Sequence, residues 1–401
     1  MLENLRQMEQ SEREARPIRI LYSIKLFPGT ENYKEAGGAE RTLQKLMNGL
    51  DGSYPVYDMT VVLGDNLKAG VREPVSGRIK LISKVGNMDF SAFMLQNQKD
   101  FDVLHLADGF WWPNQRMLLS VALWDKTKPV IARVTSEYYL YAFKKANPRL
   151  RNLLFSRINK FVAISPEISE GLAEMGIEEE KIAFIPNAVD TEKFLPASLE
   201  RKMELRKSLY SDQVAQDKRI FISQGRIMEN KKKKRTLIRE WINSGLGLGG
   251  HMLVLAGPIS ETEGEFEKTY ELIQEAKNHN VVWTGSLDPE IVAKYLQSAD
   301  IFVLPSSTEG MSNALLEAMS CGLPALVREG VSGTGMVTQG YTGFKFGEDQ
   351  DIRSALVRFA DNFLDLDNMS RNARQLIVDD FAIGKMIERY DLLYRNLLVK
   401  N

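Results

Sequence analysis

The 401-residue sequence contains one cysteine, Cys321, and three histidines, His105, His251 and His279. A lone cysteine excludes an intramolecular disulfide. With no Cys/His cluster there is no ligand set for a zinc site either, and a reducing, cytoplasmic setting fits. No run approaches the roughly 18 uninterrupted apolar residues of a membrane span. The opening stretch MLENLRQMEQSEREARPIRI carries charges of both signs and no apolar core, so neither a signal peptide nor an anchor is expected there. Peripheral contact with the inner face of a membrane stays open. An excess of one charge is also missing: 52 Lys and Arg against 53 Asp and Glu leave a formal net charge of -1, so no global field points to nucleic acid as a partner. Short-period repeats and low-complexity tracts are absent apart from the basic run Lys231 to Arg235.

What is present reads as an ordinary globular protein. With 44% hydrophobic and 26% charged residues the chain can bury sizeable cores, and its length suggests two of them. Buried-strand runs are expected at Ile18 to Leu26, Met59 to Leu63, Val103 to Leu106, Val130 to Val134 and Lys160 to Ile164. Helical patterns lie between most of these, one of them starting near Gly38. A second series starts at Arg219 to Ser223 and continues at His251 to Ala256, Val281 to Thr284, Ile301 to Pro305 and Pro324 to Val327. Alternating strands and helices predict an α/β protein with two parallel, doubly wound sheets. The pattern pauses between Asn187 and Lys218, around Pro196 and a charged helical stretch. The expected division is therefore an N-terminal domain over 1–192, a linker over 193–217, a C-terminal domain over 218–380 and a terminal helical segment over 381–401.

The most informative segment is IFVLPSSTEGMSNALLEAMSCGLPAL, where a strand ends at Pro305, a polar loop carries Glu309 and a helix carries Glu317. Ligands of open α/β sheets bind beyond the carboxyl ends of strands, which places Glu309 where a ligand is held. At about 1.5 Å rise per helical residue the two carboxylates lie on the order of 10 Å apart, too far to share a proton and suited to gripping two ends of one ligand. The helix start near Ser312 or Asn313, preceded by Met311, offers unpaired N–H groups and a positive dipole end to a phosphate. The plain alternative is a loop glutamate, a solvated helix glutamate and an ordinary N-cap.

Taken together the motifs resemble glycosyltransferase family 4, whose members carry a Glu, seven residues, Glu pattern and the GT-B fold of two Rossmann-like domains facing a cleft. FISQGRIMENKKKK resembles the family's strand, Gly-Arg and following Lys, and AGGAER, with Gly37 and Gly38, resembles its N-terminal glycine loop. VVWTGSLDPEIVAKYLQSADIFVLPS resembles the segment around its nucleotide base, and FVAISPEISEGLAEMGIEEEKIAFIPNAVDTEKF the end of its first domain. The resemblance implies retaining transfer from a nucleotide diphosphate sugar, UDP- or GDP-linked, to a sugar, glycan or glycolipid acceptor bound by the N-terminal domain. No metal or other cofactor is implied. Arg226 and a lysine would neutralise the departing diphosphate; counting from Arg226 selects Lys231, and counting back from the next helix selects Lys232. Glu317 would bind the ribose, Glu309 the donor sugar, and backbone near Trp283 and Thr284 the base. The Trp283 side chain is expected in the core. A charge run is ordinarily a solvated face, which is expected of at least two of Lys231 to Lys234. The resemblance also has the terminal helix crossing back to the first domain.

One departure and one decoy accompany this. Many family members place a His after the strand that corresponds to Val130 to Val134, where this sequence has Thr135 and Ser136. Together with His105, which is also readable as a structural histidine, these are the acceptor-side candidates. Asp365 and Asp367 form a D-x-D, but their place before a helix fits N-capping better than metal binding. Two other readings stay beside the transferase: a catalytically silent scaffold with this fold, and a sugar-nucleotide epimerase.

Overall fold

The computed structural model describes residues 16–24, 38–54, 56–63, 70–83, 90–107, 121–211, 217–260, 265–360 and 365–399. The chain divides into two compact units, the first of residues up to Asn187 together with those from Ile383 onward, the second of Ala188–Ala382.

In the first unit an eight-stranded sheet runs in the order β3-β4-β2-β1-β5-β6-β7-β8. Its strands are β1 (Ile18–Ile24), β2 (Tyr57–Leu63), β3 (Gly70–Ser76), β4 (Ile79–Ser83), β5 (Val103–Leu106), β6 (Val130–Val134), β7 (Lys160–Ala163) and β8 (Ile182–Phe184). All pairings are parallel except that of β3 with β4. Parallel strands covered on both faces need continuous apolar runs, and every residue of β5 and β6 is buried. Helix α1 (Gly38–Ser53) turns Leu43, Leu46, Met47 and Leu50 inward, the three-four spacing of an amphipathic helix. Further helices are α2 (Phe90–Asn97), α3 (Glu137–Lys145), α4 (Pro148–Arg157) and α5 (Pro166–Glu174).

The second unit carries a six-stranded parallel sheet in the order β11-β10-β9-β12-β13-β14. Helix α6 (Leu199–Tyr210) precedes β9 (Ile220–Gln224), α7 (Lys234–Ser244), β10 (Met252–Ala256), α8 (Glu265–Ala276), β11 (Val281–Gly285), α9 (Pro289–Ser298), β12 (Ile301–Leu304), α10 (Asn313–Ser320), β13 (Ala325–Arg328), β14 (Gly343–Phe346), α11 (Ile352–Ala360) and α12 (Leu366–Asp380). Strand order reverses between β9 and β12, the position at which doubly wound sheets bind ligands. The described residues of 193–217, which are 193–211 and 217, belong to this unit. Asp300, at the start of β12, accepts from Lys202 (2.7 Å) and Arg206 (2.5 Å) of α6 and from the Ile220 N–H (2.8 Å). Burial works against that carboxylate's charge, but the two cations outweigh it and hold its pKa below the usual range.

The last helix, α13 (Ile383–Val399), groups with the first unit. Tyr394 OH lies 2.9 Å from Tyr22 OH and 2.8 Å from His105 Nδ1, and Tyr57 OH donates to Asp391 Oδ1 at 2.7 Å. These bonds satisfy polar groups that the helix itself buries.

Candidate active site

The end of β9 and the loop after β12 build the site. Gly225 follows β9 with φ 106°, and its N–H donates to the Ala256 carbonyl at the end of β10 (2.8 Å). A Cβ on Gly257, whose φ is 146°, would lie 2.3 Å from the Gly225 carbonyl, so the close approach needs glycine at 257, while Gly225 is needed for its positive φ alone. Arg226, next in line, is exposed. The chain then loops to α7, whose first turn is capped by Glu229: its carboxylate accepts from the Thr236 N–H (3.2 Å) and Thr236 Oγ1 (2.5 Å).

Across the switch point the loop after β12 brings Glu309 to this segment. Lys232 Nζ donates to Glu309 Oε1 at 2.6 Å, with the carboxylate side chain only 10% exposed. Lys231 points elsewhere and is exposed, while its carbonyl accepts from the Ser307 N–H (2.9 Å) and so ties the two loops together. Of the two lysines between which the sequence does not choose, Lys232 is the one that meets Glu309. The expectation of a solvated charge run is corrected: Lys231 alone of the four is exposed. Lys232 is half-buried, Lys233 pairs with Asp349 (3.5 Å), and Lys234 is wholly buried. Burial, and after it the like charge of Lys232, lower the Lys234 pKa to about 7 against a pull upward from Glu309.

Ser312 is the N-cap of α10, its side chain accepting from the Leu315 N–H (3.3 Å), so the plain capping role is present. Met311 is buried and Asn313 is the first helical residue. Glu317, one turn on, accepts from Gln224 Nε2 at 2.7 Å. Gln224 and Glu229 carry no motif and went unnoticed in the sequence. Gln224 sits at the last position of a strand next to the switch point, which is the signal that could have found it. Trp283 Nε1 donates to the Gly257 carbonyl (2.8 Å) and its ring packs on the core; Thr284 Oγ1 is 2.9 Å from the Gly285 carbonyl, at the carboxyl end of β11.

In the first unit Gly38 opens α1, and Gly37 lies outside the described residues. Thr135 and Ser136 follow β6; Ser136 is the N-cap of α3 and accepts from the Tyr138 N–H (3.2 Å). His105 is not available to an acceptor: it is fully buried and hydrogen-bonded to Tyr394, and burial followed by the nearby Arg133 charge lowers its pKa to about 3. The reason is the return of α13 over the sheet, which covers a side chain that the sequence alone leaves open. Asp365 caps α12 through the Asn368 N–H (3.0 Å).

Two Rossmann-like parallel-sheet units, the second with Glu309, Lys232 and Glu317 gathered at its switch point, are the architecture of the GT-B glycosyltransferases. The comparisons agree. Residues 36–193 match the family described as Glycosyltransferase Family 4 and residues 218–362 that described as Glycosyl transferases group 1, and the chain belongs to glycosyltransferase family 4. It is 26% identical to the Escherichia coli UDP-Gal:alpha-D-GlcNAc-diphosphoundecaprenol alpha-1,3-galactosyltransferase over 85% of this chain and 87% of that one. It is 30% identical to the Streptococcus pneumoniae alpha-galactosylglucosyldiacylglycerol synthase over 44% and 45% of the two chains. In fold it is similar to Anabaena HepE in complex with UDP and glucose, with a TM-score of 0.71 at 15% identity, covering 94% of this chain and 100% of that chain. The sucrose-phosphate synthase of Thermosynechococcus elongatus gives a TM-score of 0.72 at 17% identity, covering 96% and 100%. Among the described residues no helix is long and apolar enough to cross a membrane.

Proposed function

We propose that the chain transfers a hexosyl group from a UDP- or GDP-sugar to a lipid-linked or other glycan acceptor, with retention of configuration and without a metal ion. The observation that carries this reading is the Lys232–Glu309 pair standing across the switch point from the Gln224–Glu317 contact, with the α10 N-terminus between the two glutamates in sequence. In this reading Glu317 binds the ribose, Glu309 the sugar hydroxyls, and backbone at Trp283 and Thr284 the base. Arg226, Lys232 and the α10 N-terminus stabilise the charge that develops on the departing diphosphate, which is the task otherwise given to a divalent cation. Catalysis then rests on positioning and on that charge stabilisation. Incubation with UDP- and GDP-sugars and a lipid-linked acceptor, with and without chelator, is the test. An α-linked product formed equally in chelator supports it. An inverted product, or activity that chelator abolishes and a divalent ion restores, overturns it.

The acceptor side supports peripheral contact with an anionic membrane. Tyr138, Tyr141, Leu150 and Leu153 on α3 and α4 are exposed while Leu140, Phe143 and Leu154 are buried, so the two helices turn an apolar side outward just beyond Ser136. Five cationic side chains accompany them in 137–157 against Glu137 alone, the composition of an interfacial surface. Sedimentation with phosphatidylglycerol vesicles but not phosphatidylcholine vesicles is expected, and equal behaviour with both removes the electrostatic part of this reading.

A further inference from the structure

The basic run leaves one ammonium that the donor-site reading does not use. Lys234 is buried because Lys233 before it adopts the left-handed conformation (φ 50°, ψ 30°) and turns the first residue of α7 inward. Lys234 Nζ donates to Ser223 Oγ and to the Gln224 carbonyl 3.1 Å away. Ser223 Oγ in turn donates to the Val303 carbonyl of β12 (2.5 Å), and the Gln224 side chain donates to Glu317. One buried ammonium therefore fixes the end of β9, joins it to β12 below the Glu309 loop, and stands behind the residue that holds Glu317. Its two acceptors are neutral, and a buried cation without an anion is costly.

We propose that Lys234 is a positioning residue of the donor site and its second, buried positive charge, brought to the charged form by a bound nucleoside diphosphate. The inference rests on the donor-site reading. The groups that face Lys234 are Lys232 from the loop before α7, Glu309 from the loop after β12 and, through Gln224, Glu317 from α10. A diphosphate on Lys232 cancels the repulsion that this neighbour exerts and adds negative charge on the same side. The ammonium form gains, and one proton passes from solvent to Nζ. Uptake is greatest about one pH unit above the free-enzyme value of about 7 and vanishes below about pH 6, where the amine is charged already.

Calorimetric titration of the full chain with UDP and with GDP, in two buffers of different ionisation heat, reads this proton directly. At about pH 8, where the terminal phosphate is already ionised, the wild type is expected to take up a large fraction of one proton per nucleotide; at about pH 6 Lys234 adds none, and wild type and Lys234→Met should share whatever proton the phosphate releases. Lys234→Met, similar in length and apolar, should bind the nucleotide about tenfold more weakly with no uptake at either pH. A lysine that only packs would leave the buffer dependence unchanged. Should the variant not fold, the wild-type pair of measurements still decides. Binding with equal heats in both buffers at about pH 8 overturns the inference and leaves the donor site standing. Absence of binding by either nucleotide removes the donor-site reading, and this inference with it.

Discussion

Lys232 is held by Glu309, so under the proposed function the two residues should have opposite effects on nucleotide affinity. The contact is 2.6 Å long and the side chains are 31% and 10% exposed, a pair shielded enough to matter and open enough to be broken by a ligand. In the proposed donor site Lys232→Met would remove a charge-assisted hydrogen bond to the diphosphate, worth about 1.5–3 kcal/mol. With each 1.4 kcal/mol worth a factor of ten, free UDP should bind roughly 10- to 100-fold more weakly. Glu309→Gln removes the competitor instead. Releasing Lys232 from a partly exposed ion pair is worth up to about 1 kcal/mol, so UDP affinity should stay level or rise by up to about fivefold, while sugar transfer falls because the contact to the donor sugar is gone. Titration of both variants and the double mutant with UDP, beside initial rates of transfer, measures each quantity. If Glu309→Gln weakens UDP as much as Lys232→Met, the carboxylate is holding the loop together and not competing with the diphosphate, and the two-ended grip on the donor is wrong.

Arg226→Ala should lower transfer by about 100-fold with melting temperature unchanged, because the side chain is exposed; intact turnover would remove Arg226 from the diphosphate site. Asp300→Ala leaves Lys202, Arg206 and the Ile220 N–H without their shared acceptor, and chemical denaturation should show a loss of about 3–5 kcal/mol. Because the folded-state pKa of Asp300 is depressed, its contribution is present above the unfolded carboxylate value and is lost as pH falls through the folded one, so the variant and wild type should converge in acid. His105 has the opposite cause and the same direction: held neutral in the fold with a pKa of about 3, it makes the protein lose up to about 1.4 kcal/mol per pH unit below the unfolded histidine value near 6.5. His105→Gln should flatten that slope in a series of unfolding curves, and an unchanged slope would assign the acid sensitivity elsewhere.

The strands of the catalytic half were legible because parallel sheets buried on both faces leave unbroken apolar runs, and β9, β10, β11, β12 and β13 fall within a residue or two of the expected segments. The antiparallel pair β3 and β4 and the short edge strands β8 and β14 carry no unbroken apolar run of comparable length, and they were not anticipated. Glu309 and Glu317 stood out through fixed spacing. Lys231 and Lys232 could not be told apart, because in four identical side chains only the backbone decides which points where; the left-handed Lys233 makes that decision and has no sequence signature. His105 was unreadable for a different reason. Its partner Tyr394 lies 289 residues away, and hydrogen bonds across such separations leave no periodic trace.

The placing of α13 has a consequence for the order in which the molecule is made. Tyr22, Tyr57 and His105 are synthesised early, yet the side chains that cover and pair with them, Tyr394 and Asp391, leave the ribosome only after the whole of the second unit has. The second unit, Ala188–Ala382, is continuous in sequence and has all of its strands in hand before α13 emerges. Translation from the N-terminus therefore completes the second unit while the first is still missing its last helix, the reverse of the usual order in which the first-made domain folds first. A nascent chain stalled before Ile383 should show a protease-resistant fragment from the second unit and none from the first.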